Sequence, residues 1–267
     1  MSILSWDGST DRRYETGVKK GVLYPYSTDI EAFSESKAYK IGDVVSYNGS
    51  VYVCKTAITS PSSWSDSNWT VTTAYRPGVA WNGLSSVSES PSGAEETAIY
   101  ADDIKYLSLR SAEELGLTVE AYTYPDEWAA CDGSATVATG ATIGQQRRKK
   151  FGLCYRTIIG DEASGDDLGY KLHLVYGCTA SPSERAYASV NDSPEAITFS
   201  WEITTVPVEV ANYKPTSCIT IDSTKFTTAA QKACLANLEN ALYGTAATDP
   251  YLPSPAEIIT ILTPAEG

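Results

Sequence analysis

AITFSWEITTVPVEV, residues 196–210, is the stretch that decides the fold. Ile197, Phe199, Trp201 and Ile203 alternate with Thr198, Ser200, Glu202 and Thr204, the period of two of a strand with one face buried and the other solvated. Pro207 cannot donate to a ladder and ends or bulges that strand. The same period recurs upstream. In KLHLVYG, Leu172, Leu174 and Tyr176 share one side, with Lys171 and His173 opposite. In KKFGLCYRTII, Phe151, Leu153 and Tyr155 fall together, and in LGLTVEAYTYP, Leu117, Val119 and Ala121 oppose Thr118, Glu120 and Tyr122. ETAIYADDIKYLSLRS has mixed apolar spacing, and residues 1–25 show no sustained period, as expected of an arm or long loop.

Two helices are expected. SAEELG has Ser111 as cap and Glu114 at capping-box spacing. TTAAQKACLANLENALYG, residues 227–244, carries Ala230, Ala233, Cys234, Leu238, Ala241 and Leu242 on a stripe and stops at Gly244. The proline-rich tail after Ala247 reads as a closing strand and loop. The whole is mainly β with one well-marked late helix.

A second strand system sits inside the first. YKIGDVVSYNGSVYVCK, residues 39–55, holds two alternating runs, Val45 and Tyr47, then Val51 and Val53, joined by Asn48-Gly49, a strong two-residue hairpin turn. Its borders, SES and ITSPSSWSDSN, are turn-rich. The division expected is residues 29–73 as an inserted all-β unit and residues 1–28 with 74–267 as its host. A unit this small needs its aromatics for a core.

The chain has 267 residues and a formal net charge of -13, with 20 Lys plus Arg against 33 Asp plus Glu. That balance disfavours wrapping around nucleic acid and leaves a self-repelling surface. No apolar run approaches a membrane span, so no membrane insertion is expected. The N-terminus lacks the pattern of a signal peptide, which makes cytosolic synthesis the expectation. Six scattered cysteines with no C-x-x-C pair suggest buried thiols rather than a zinc site or disulfide framework.

No constellation points to catalysis or a cofactor, and the expectation is neither an enzyme nor a metal or cofactor binder. The acid pairs Asp102-Asp103, Asp161-Glu162 and Asp166-Asp167 lie in turn-like contexts. GDEASGDDLG fails the spacing of a calcium loop and reads as a solvated loop. His173, the single histidine, has no nucleophile-elbow neighbour. No Gly-rich run leads into a helix through Lys-Ser or Lys-Thr. The basic run Arg147, Arg148, Lys149 and Lys150 is open to three readings: a DNA contact, a contact with an identical neighbour, or a solvated hairpin end. The neighbour reading suits an acidic chain best.

GVLYP, GVAWNGLSSVSESPSGAEETAIYADDIKYLSL, SAEELGLTVEAYTYPDEWAACDGS, TIGQQ with KKFGLCYRTIIG, GYKLHLVYG and SPEAITFSWEITTVPV together resemble the major tail tube protein of long, non-contractile-tailed bacteriophages. The resemblance covers residues 6–25 and 75 to about 243. It implies a tail-tube β-sandwich or barrel with a flanking helix, assembled as hexameric rings that stack into a tube. Such a subunit would be assembled in the host cytoplasm and reside in the virion tail. Its partners would be its own copies, other tail proteins at the tube ends, and viral DNA in transient, non-specific passage. An acidic wall suits that passage, because it repels phosphate.

Residues 31–72 are similar to a second family, the small chitin- and cellulose-binding modules. The shared features are Tyr39, Gly42-Asp43-Val44-Val45, Tyr47, Asn48-Gly49, Val51 to Lys55, Trp64 and Trp69. In such modules exposed aromatics stack on sugar rings, which makes Tyr39, Tyr52, Trp64 and Trp69 the candidate glycan contacts and a host-surface glycan the candidate partner. The same rings are also what a core this small requires.

Overall fold

The structure is a computed structural model that describes residues 12–162, 165–187, 189 and 196–264. The chain runs through β1 (Arg13–Pro25), β2 (Val44–Tyr47), β3 (Ser50–Cys54), β4 (Trp69–Thr72), β5 (Val79–Trp81), β6 (Leu84–Gly93), β7 (Glu96–Ala101), β8 (Ile104–Arg110) and β9 (Glu113–Ala121). It continues through α1 (Trp128–Asp132), β10 (Ala135–Ala138), β11 (Ala141–Ile143), β12 (Phe151–Asp161), β13 (Gly165–Ala180), β14 (Phe199–Thr204), β15 (Cys218–Asp222), α2 (Ala229–Tyr243) and α3 (Pro255–Leu262). The architecture is mainly β, as the alternating runs predict.

The largest sheet has the order β5-β1-β12-β13-β14-β9-β6, with β15 added to the free edge of β13. Its central strands are buried on both faces, and the alternation sorts their side chains into two cores. Leu23, Leu153, Tyr155 and Val175 point to the first, where the β6-β9-β14 half supplies Leu117, Val119, Ala121, Trp201 and Ile203. Trp81, Trp128 and Trp201 close it, with ring centroids 4.6 to 5.6 Å apart. Val22, Tyr24, Cys154, Leu172, Leu174 and Tyr176 point the other way, against Leu235, Leu238 and Leu242 of α2 and Ile258 of α3. Tyr24 and Tyr176 donate their buried hydroxyls to the carbonyls of Leu242 and Pro253, at 2.7 and 2.9 Å. These bonds satisfy two groups that burial alone would penalise. β13 leaves β15 and turns toward β14 at Gly177, whose φ is +62° and where a Cβ would meet the Val206 carbonyl at 2.2 Å.

Four local expectations are corrected. Residues 13–25 are a strand rather than an arm or loop. Register shifts on either side of Lys19, with Gly17 and Lys20 at positive φ, break the alternation that would have revealed it. SAEELG is not a helix; Glu113–Ala121 is ladder, paired along its length with β6, and Gly116 sits mid-strand between β6 and β14. The tail is not a closing strand. Ser254 accepts from Glu257 N at 3.3 Å and Pro255 opens α3, a cap signature that the density of prolines obscured. The expected late helix is present, but its buried seam is Leu235, Leu238 and Leu242, while Ala230 and Ala233 are exposed. Thr228 and Gln231 form a reciprocal capping box at its start.

The β6–β9 hairpin continues outward as β7–β8, a two-stranded ribbon turning at Asp102-Asp103, both at positive φ. Beyond the cores, no other layer packs on it among the described residues. Ile99, Ile104, Leu107 and Leu109, with Tyr100 and Tyr106, are all exposed.

Between β1 and β5, residues 33–69 enclose a third core that draws no residue from the other two. The chain leaves and re-enters the large sheet side by side. Tyr26 and Tyr75 form an antiparallel bridge with rings 5.2 Å apart, and Ser27 N donates to Ala74 O at 2.7 Å. Leu252 N donates to Tyr75 O, and Thr73 Oγ1 to Leu252 O at 2.6 Å, so the C-terminal segment clasps the joint.

Candidate functional site

The small unit is a three-stranded sheet, β2-β3-β4. Asn48 and Gly49 take φ of +47° and +79°, the left-handed pair that a two-residue hairpin turn requires. Asp43 Oδ2 accepts from Lys40 N at 2.7 Å and Asp43 O from Cys54 N, which fixes the Gly42-Asp43 corner feeding β2. Tyr39 is tied to Ile58 by a reciprocal pair of backbone bonds, and its hydroxyl accepts from Ser34 N at 2.7 Å.

Alternation places Val45, Tyr47, Tyr52, Cys54, Trp69 and Val71 on one face of this sheet and Val44, Val53 and Thr70 on the other. Val44 and Val53, with Ile30 and Ile41, line a cleft of about 820 Å³ whose far wall includes Asn240, Ala241 and Tyr251. The aromatic face therefore turns away from the body.

On that face the candidate residues separate. Tyr39 and Trp69 are each only 3% exposed, packed edge to face at 5.2 Å. They hold the core, and a sugar has no open ring face on either. Trp64 is half-buried and parallel to two rings, Tyr47 at 3.9 Å and 12° and Trp69 at 5.1 Å and 7°. Its indole N–H donates to Asp66 Oδ1 at 2.7 Å. Tyr52, also half-buried, meets Trp64 edge to face at 4.7 Å, and Phe33 does so at 5.0 Å. The arrangement is a rigid aromatic platform with Tyr47 at one end. Tyr47 was not among the sequence candidates. Its signal was available: an aromatic on the core parity in the last position before an exposed turn.

Elsewhere, the basic run does not form one patch. Lys149 N donates to Ala130 O, and Tyr26 N to Lys150 O, so the segment is laid along α1 and the joint. Arg148 is half-buried over Gly133, while Arg147, Lys149 and Lys150 are exposed. Asp132 pairs with Arg185; burial holds its carboxyl above the usual range against the pull of Arg185 and Arg148.

His173 stacks on Tyr155 at 4.6 Å and 3°, with Nε2 3.0 Å from Thr157 Oγ1 and 3.6 Å from Glu15, and Nδ1 3.8 Å from Glu89. Burial lowers its pKa, opposed by the two glutamates. Of the acid pairs, Asp102 and Asp103 make the ribbon turn, Glu162 pairs with Arg12, and Asp166 accepts from Tyr14. Cys54, Cys131, Cys154 and Cys178 are buried, as expected of small apolar thiols; burial pushes Cys131 and Cys154 up to about 12. Among the described residues, no group of three or more His, Cys, Asp or Glu is arranged to hold a metal, and no helix is long and apolar enough to cross a membrane.

In comparison with known families, residues 32–71 match carbohydrate-binding module family 5/12. The chain thus contains a carbohydrate-binding-module-like region, and its limits coincide with the third core. No curated protein matches the chain.

Proposed function

We propose that residues 29–73 are a glycan-binding head set into a non-catalytic β body formed by residues 1–28 and 74–267. The observation that carries this reading is the family 5/12 match, which falls on the segment that builds its own core. The aromatic face supports it, since planar rings turned away from the body suit the apolar faces of equatorially linked pyranoses. The test is a pull-down on insoluble chitin and cellulose, comparing the intact chain with Trp64→Ala. Retention of the intact chain and loss of the variant is the expected result; failure of the intact chain to bind either polymer refutes it.

A second reading concerns the body. We propose that it is a tail-tube subunit that forms stacked hexameric rings around a DNA channel, with the head outside and Arg147, Lys149 and Lys150 at a contact between copies. What supports it is the family resemblance together with the β7–β8 ribbon, whose bare apolar side chains are what a surface awaiting a neighbour carries. In this reading the chain resides in the virion tail, is assembled in the host cytoplasm, and meets other tail proteins at the tube ends. Negative-stain microscopy of concentrated protein should show rings or tubes; a monodisperse monomer at every concentration refutes it.

A further inference from the structure

Of the rings on the module's outer face, we infer that Tyr47 is the one that meets the sugar, and that Trp64 is its support rather than the platform itself. The inference rests on the glycan-binding reading and assigns the contact within it. Tyr47, Trp64 and Trp69 are parallel within 12°, and the separations are 3.9 Å for the outer pair and 5.1 Å for the inner pair. Two flat rings at those offsets on one side of the indole would collide, so Tyr47 and Trp69 lie on opposite sides of Trp64. Both faces of Trp64 are covered in this way, and its edges meet Phe33 and Tyr52. Trp69 and Tyr39 are buried. Tyr47 is half-buried, as Trp64 and Tyr52 are, but among the described residues no ring other than Trp64 lies parallel to it, which makes it the end of the stack.

Its position fits the role. Tyr47 pairs with Ser50 in the last rung of the β2–β3 ladder, at the rim of the exposed Asn48-Gly49 turn. Phe33 props it edge to face at 5.7 Å. The ring is thereby held before any ligand arrives, which reduces the ordering that binding would otherwise cost. Polar groups for hydroxyls are close to the same stack: Asp66 gives one oxygen to the Trp64 indole and keeps the other, and Ser50 is exposed. The ligand class is a β-1,4-linked pyranose chain, whose residues present axial C–H groups to a ring and hydroxyls at the edge.

The experiment titrates the full chain with the β-1,4-linked N-acetylglucosamine hexamer by calorimetry, after pull-down on chitin and cellulose. Tyr47→Ala should weaken binding about tenfold, the worth of one aromatic contact, while Tyr47→Trp should bind as well as or better than the parent. Because Tyr47→Ala also removes a ring that packs on Trp64, nuclear Overhauser contacts from sugar protons to the Tyr47 ring are sought in the unmodified chain and are expected. If the parent binds, and Tyr47→Ala binds equally or the contacts fall on another ring, this assignment is overturned and the glycan reading stands. If the parent binds neither polymer nor the hexamer, the glycan reading falls and takes the assignment with it.

Discussion

Excision of residues 29–73, with the flanks joined, should leave the body folded at a small and calculable cost. The bridge between Tyr26 and Tyr75 and the bond from Ser27 N to Ala74 O lie outside the deleted segment and bring the new ends together. Two part-buried hydrogen bonds to the body are lost, Thr73 Oγ1 to Leu252 O at 2.6 Å and Arg76 to Thr72 Oγ1 at 2.7 Å, and the exposed bond from Thr28 Oγ1 to the adjoining Asp29 adds little. At about 1 kcal/mol each, the loss is about 2 kcal/mol. For a chain of this size that lowers Tm by about 4–8 °C. Neither large core loses a side chain, since the third core is built from residues 33–69 alone. Thermal unfolding followed by circular dichroism and by tryptophan fluorescence measures it. A single cooperative transition a few degrees lower is expected. Loss of cooperativity, or a fall of more than about 20 °C, would mean that the body depends on packing from the insert, and the division argued above would fail.

Three other outcomes are expected. Leu238→Ala empties a fully buried site under α2 and should cost about 2–5 kcal/mol in urea unfolding; a cost below about 1 kcal/mol would show that the α2 interface is loose. His173 has a folded pKa below its unfolded one, so its contribution is present above about pH 6.5 and is lost as pH falls through the folded value. The urea midpoint of the parent should therefore drop more between pH 7.5 and 5.5 than that of His173→Gln, and equal drops would refute the assignment. Native iodoacetamide labelling, read by mass spectrometry, should spare Cys131, Cys154 and Cys178, whose thiols burial keeps protonated; rapid labelling of any of them before unfolding would contradict that.

Strands whose side chains obey one period over their whole length were legible: Leu117, Val119 and Ala121, or Trp201 and Ile203, are buried where alternation puts them. β1 was not, because its two bulges shift the phase within one strand. SAEELG misled because a capping box is a local preference, while β9 is decided by partners on both sides that are distant in sequence. In the small unit the hairpin and the importance of Trp64 and Trp69 could be read directly. The order of the rings could not, because Tyr47, Tyr52 and Trp64 are all half-buried and only their stacking distinguishes them. Chemistry names the rings, and packing order ranks them.

If copies meet through the β7–β8 ribbon, as proposed, the ribbon acts as an ionic-strength dial. Ile99, Leu107 and Leu109 present apolar surface to water on a chain whose formal charge is -13. In dilute buffer, like-charged copies repel at distances where that surface exerts no pull. Raising salt from 0.01 to 0.15 M shortens the Debye length from about 30 to about 8 Å and leaves the apolar attraction in place. Colloidal behaviour should therefore run opposite to that of a protein held together by ion pairs: low salt keeps copies apart, and added salt lets their ribbons meet.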